Sequence, residues 1–150
     1  MRLIGMRPIL FASIALLLCS LAAAAKDKPL DEMVQEAQSA SQKDQPKLYI
    51  KIAQVELRVA DRTFSTGNSA KAQNAVENVV EYATKASDAA IQSRNRMKKT
   101  EIDIRKMADK LRDIKRNLNF DDQPSVQSAM DKLEDLRAKL LTSMFTKKKK

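Results

Sequence analysis

SAKAQNAVENVVEYATKASDAAIQSRNRMKKTEIDIRKMADKLRDIKRNL, residues 69–118, contains neither Gly nor Pro. Through it Val76, Ala83, Ala90, Met97, Ile104, Leu111 and Leu118 recur every seven residues. Val79, Ala86, Met107 and Ile114 fill the alternate seam positions, while Ser93 and Thr100 interrupt them. Apolar residues at this spacing lie on one stripe of a helix that packs against other helices. The pattern predicts one helix over about 69–118, roughly 75 Å long at 1.5 Å per residue. A break near Ser93–Thr100, giving two helices of ordinary length, is the alternative.

The flanks are punctuated as helices are. Gly67 suits the left-handed position that closes a helix, and Asn68 or Ser69 can cap the next. Asp44-Gln45-Pro46 opens a helix running to about Thr66, with Asp44 as N-cap and Pro46 in the first turn. That helix bears two apolar stripes, Leu48-Ile52-Val55-Val59 and Ile50-Ala53-Leu57-Ala60-Phe64, as expected for an element covered on two sides. A shorter helix from about Pro29 to Ser41 precedes it, with Leu30, Met33, Val34 and Ala37 on one face.

After the long helix, Asn119–Gln123 makes a turn. Asp122-Gln123-Pro124 then opens a last helix lined by Val126, Met130, Leu133, Leu136, Leu140 and Met144. The repeated Asp-Gln-Pro triplet reads as shared cap chemistry, because the residues after it do not align. The expected fold is all-α: an elongated antiparallel helical bundle, a coiled-coil-like rod built on the central helix 69–118. The second helix lies on the first half of that helix and the last helix on its second half. Met97, Met107, Met130 and Met144 fall on the seam and read as core filling.

Residues 1–25 read as a secretory leader. Arg2 and Arg7 precede the apolar stretch Ile9–Leu18, and Ala22–Ala25 offers a cleavage site after Ala24 or Ala25. An uncleaved anchor is disfavoured because residues 9–25 fall short of the ~20 needed for a span. Lipidation at Cys19 is disfavoured by Leu16-Leu17-Leu18 before it. The expected organisation is a signal peptide at 1–25, one helical domain at 26–146 and a basic, disordered tail at 147–150, in a protein that is periplasmic or secreted.

Composition removes most catalytic options. The 150 residues include no His and one Cys, which lies in the leader, so His- or Cys-based catalysis and metal binding lack their ligands. With only Gly5 and Gly67 present, no glycine-rich phosphate loop can form. The densest acids, Asp121-Asp122 and Asp131/Glu134/Asp135, read as a cap at Asp122 and a solvated face making pairs such as Asp135–Lys139. The reading is therefore a non-enzymatic protein with no catalytic residue, cofactor or metal.

Charge points to anions. The chain carries 28 Lys and Arg against 19 Asp and Glu, a formal +9. On the long helix Lys98, Lys99, Arg105, Lys106 and Arg112 occupy neighbouring outward positions, and Lys147, Lys148, Lys149 and Lys150 end the chain. These residues are candidates for contact with lipid headgroups or cell-wall polymer. The competing reading is an ordinary solvated face, balanced by pairs such as Glu101–Arg105 and Arg105–Asp109. Nucleic acid is disfavoured for an exported chain with few aromatics and no Trp.

Val59-Ala60, Phe64, Gly67 and Ala72 together resemble part of a single tetratricopeptide helical hairpin over about residues 57–80. That resemblance implies peptide or protein binding. The later aromatic and the closing proline of that pattern are missing, and no second repeat follows. Two functions are therefore expected. The first is helix-mediated association in the cell envelope with an unknown protein partner or with further copies of the chain. The second is electrostatic binding of anionic envelope surfaces.

Overall fold

The computed structural model describes residues 28–146. The leader with Cys19 and the tail Lys147–Lys150 lie outside the described residues. Those described form an all-helical chain: α1 (Leu30–Ser39), α2 (Gln45–Ser65), α3 (Ser69–Ser93), α4 (Met97–Arg116), a short 3-10 turn (Phe120–Asp122) and α5 (Gln123–Phe145).

The single helix expected over 69–118 is two. α3 stops at Ser93 and α4 starts at Met97. Arg94 (φ 51°) and Arg96 (φ 60°) both take left-handed backbone conformations. The Arg94 N–H donates to the Ile91 carbonyl at 3.3 Å and the Asn95 N–H to that of Ala90 at 3.2 Å. That is the paired hydrogen bonding with which helices commonly close, here without glycine.

The physical reason is burial. A side chain with a Cβ costs about 1–2 kcal/mol in a left-handed position. Folding back seats Ile104, Met107, Leu111 and Ile114 in the same core as Val76, Val79, Ala83 and Ala90. Each large apolar side chain so covered contributes about 1.5–3 kcal/mol, so burial outweighs the strained turn.

The expected arrangement, with the second helix on one half of the long helix and the last helix on the other, changes with it. Lys110 of α4 meets Asp61 of α2 at 2.9 Å, and Lys139 of α5 meets Asp88 of α3 at 2.7 Å. On a continuous helix Lys110 would stand some 60 Å from the part of α3 that α2 covers. Instead α2 packs beside α3 and α4, and α5 beside α3 and α4. α2 and α4 run one way, α3 and α5 the other, and α1 lies against α2.

Alanines let these helices approach closely. On α3, Ala72, Ala75, Ala83, Ala86, Ala89 and Ala90 are all buried. Larger side chains from α4 and α5, including Ile104, Leu111, Leu133 and Leu140, fill the space between. Met107 and Met130 are buried and Met97 and Met144 half-buried, as expected of seam residues.

Gly67 closes α2 at φ 77°, and the Asn68 side chain accepts the Lys71 N–H at 3.2 Å, both as the sequence predicts. The two aspartates of the repeated triplet behave otherwise. Asp44 has helical backbone angles, makes no side-chain cap, and accepts a hydrogen bond from the Ser41 hydroxyl at 2.7 Å. Asp122 reaches across to α3, where it accepts from the Ser69 hydroxyl at 2.9 Å and the Gln73 amide at 3.3 Å. It clamps the start of α5 to the start of α3 instead of capping its own helix.

Candidate anion-binding face

Helix periodicity divides the basic stripe of α4. Residues seven apart stay on one side, so Lys98, Arg105 and Arg112 form one row and Lys99 and Lys106 another. All five are exposed. Lys99 enters a groove between α4 and α2, whereas Arg112 lines a groove toward α5 near the opposite end of α4. They are one surface in sequence and two in space.

The pairs expected to neutralise the stripe do not form. Glu101 turns inward to Arg137 of α5, with Nη2 and Oε1 2.8 Å apart, so it does not pair with Arg105. Asp109 pairs with Arg112 at 2.6 Å instead of Arg105. On the acidic face of α5, Lys139 likewise pairs with Asp88 instead of Asp135. Among the described residues, no ion pair engages Lys98, Arg105 or Lys106.

The α2–α4 groove gathers more charge than the stripe did. It encloses about 210 Å³ and is lined by Lys47 and Lys51 of α2, Arg96 of the turn, and Lys99, Thr100 and Asp103 of α4. Asp103, 12% exposed at its side chain, takes up Lys99 at 2.6 Å. Among the described residues, Lys47, Lys51 and Arg96 have no carboxylate of their own in the groove. Lys51 also acts at a distance on Glu36, whose carboxyl lies below its ordinary value chiefly through its hydrogen bond and charge pairing with Lys28.

Two features fix this geometry. The Asn95 side chain donates to the Lys43 carbonyl at 3.0 Å, tying the α3–α4 turn to the segment that opens α2. The left-handed Arg96 immediately precedes α4, whose first turn receives no side-chain cap. The groove therefore lies beside amide groups that carry the positive end of the helix dipole. Sequence spacing could not reveal it, because Lys47 and Lys51 meet Arg96 and Lys99 only after the chain folds back at 94–96.

Other polar groups serve the interior. Glu56 is 5% exposed between α2 and α3, where burial raises its carboxyl pKa and a hydrogen bond from Asn78 partly offsets that. Tyr49 and Tyr82 stack nearby with centroids 6.4 Å apart, and the Lys85 ammonium lies 4.9 Å from the Tyr82 ring centre. Among the described residues no group of three or more His, Cys, Asp or Glu could hold a metal ion. No described helix is long and apolar enough to cross a membrane.

No family model matches the chain, and neither the curated proteins nor the solved structures give a match.

Proposed function

We propose that the protein is an exported, non-enzymatic binding protein that holds to anionic surfaces of the cell envelope through one cationic end of its helical bundle. One observation carries this reading: Lys47, Lys51, Arg96 and Lys99 converge on a groove whose lining includes a single carboxylate, Asp103. Like charges brought together repel, so a fold that gathers them favours an anionic ligand. The leader at 1–25 supports the envelope as the place of action.

The heptad seam, which motivates helix-mediated association, supports that reading less well. Val76, Ala83, Ala90, Ile104 and Leu111 all lie within the chain's own core. The cationic end is the feature that still calls for a partner.

Co-sedimentation with anionic and with neutral vesicles, at low and high salt, tests the proposal. The expected result is binding to anionic vesicles alone, reversed by salt as screening shortens the reach of each charge. Equal binding to neutral vesicles, or none to either, would make the basic residues plain solubilising charge.

A further inference from the structure

The last two turns of α5 present apolar side chains to solvent. Phe145 is 80% exposed and Leu141 37%, while the adjacent Leu140 is fully buried. Ala138, Leu141, Thr142 and Phe145 are all exposed and stand at i, i+3, i+4 and i+7, so they share one uncharged stripe. Lys139 is drawn aside to Asp88. Lys147–Lys150 follow directly in sequence.

The level at which this stripe ends can be read from one ion pair. α3 and α5 run in the same direction and are joined by Asp88 and Lys139. Phe145 lies six residues beyond Lys139, and Arg94 six beyond Asp88. The apolar stripe therefore ends beside the Arg94–Arg96 turn, at the cationic end of the bundle.

An exposed phenylalanine near the arginines of the 94–96 turn selects among partners. A soluble polyanion would satisfy the cations and leave Phe145 in water. An apolar protein groove would cover Phe145 and leave the cations unmatched. An anionic bilayer does both, because its headgroups meet the charges and its acyl boundary takes the apolar side chains.

We propose that the C-terminal end of α5 is a bilayer-contact site. Leu141 and Phe145 enter the headgroup–acyl boundary of an anionic membrane, while Arg94 and Arg96 lie against the headgroups. This rests on the anionic-surface reading and narrows it from any envelope polyanion to lipid. Phe120 supplies the contrast, being 85% exposed at the opposite end but flanked by Asp121 and Asp122, which anionic headgroups repel.

The chain has no tryptophan, so Phe145→Trp and Phe120→Trp each install a single fluorophore at one end. The test uses protein expressed from its full sequence and purified in the form the cell leaves it. It is mixed with vesicles of phosphatidylglycerol and phosphatidylcholine, or of phosphatidylcholine alone. On the anionic vesicles the emission of F145W shifts to the blue and resists aqueous quenchers, while that of F120W does not; the neutral vesicles shift neither.

In the otherwise unaltered chain, Phe145→Ser weakens vesicle binding about tenfold, as expected for losing most of one buried aromatic, and leaves binding to soluble polyphosphate unchanged. Solvent-like F145W emission on vesicles that still sediment the protein would overturn the insertion and leave the anionic-surface reading standing. Equal shifts at both ends, or equal Phe145→Ser losses on vesicles and polyphosphate, would also overturn it. No sedimentation at all would remove both.

Discussion

The turns at the two ends of α3 have the same hydrogen-bonded form and opposite chemistry. At one, the Gly67 and Asn68 N–H groups donate to the Phe64 and Thr63 carbonyls at 3.0 and 2.9 Å. At the other, Arg94 and Asn95 make the same pair of bonds to Ile91 and Ala90. The left-handed residue is glycine in the first and arginine in the second. Near the first turn Asp61–Lys110, Asp109–Arg112 and Asp113–Arg116 are paired, and among the described residues Arg62 and Lys71 engage in no ion pair. Around the second, Lys47, Lys51, Arg94, Arg96 and Lys98 engage in none among the described residues, so the positive surplus is larger there.

The second turn is therefore built for more than direction. Glycine would make either bend at less conformational cost. Arg94 and Arg96 hold strained positions where the chain also gathers surplus positive charge. Backbone strain of this kind tends to be kept where a site requires it.

The core beyond the Arg94 turn should respond most strongly to substitution. Leu111 is fully buried on α4. Leu111→Ala should cost about 3 kcal/mol, within the range for emptying a core leucine site, in chemical denaturation. A loss below about 1 kcal/mol would mean that α4 is not folded into the common core.

The turns themselves predict a pair of opposite signs. A Cβ at Gly67 meets nothing within 4 Å, so the penalty of Gly67→Ala is purely conformational. It should destabilise by about 1 kcal/mol or somewhat more. Arg94→Gly should stabilise by about 1 kcal/mol by relieving the same strain, and should weaken binding to anionic vesicles. A chain that becomes more stable and binds less well would separate the two roles of this turn; a destabilised Arg94→Gly would show that its backbone carries no strain.

The smallest expected effect lies midway between the turns and depends on pH. Burial raises the Glu56 carboxyl pKa in the folded state. The folded form therefore holds that proton more tightly than the unfolded form does. The resulting stability is full below the ordinary glutamate value of about 4.3 and is lost as pH rises through the raised value. Glu56→Gln removes this dependence, so it should gain stability at pH 7 and show no gain at pH 4. Denaturation midpoints at the two pH values check it, and a uniform difference would remove burial as the cause.

Much of the fold was legible because its devices are local. Gly67, Asn68, Pro46 and Pro124 mark helix boundaries by backbone chemistry that does not depend on the rest of the chain. The apolar stripes likewise named most of the core, from Val76 to Leu140. The break at 94–96 was hard to read because an unbroken heptad and two arginines imitate a continuing helix. Only burial of Ile104, Leu111 and their neighbours, a tertiary effect, overrides that local preference.

The candidate site was half legible for the same reason. Lys99 was visible as part of a basic stripe, but its groove partners Lys47 and Lys51 lie about fifty residues away in sequence. The clamp from Asp122 to Ser69 and Gln73 was hidden in the same way, since a cap and a cross-helix acceptor share one residue type.

Removing equal charge from each end of the bundle separates a cationic site from net charge. One variant changes Lys47, Lys51, Arg96 and Lys99 to Gln; the other changes Arg62, Lys71, Arg112 and Arg116 to Gln. Both are sedimented with anionic vesicles at one salt concentration. Loss of binding in the first with near-retention in the second is the predicted result. Equal losses would show that binding follows net charge alone and that the cationic end is not a site.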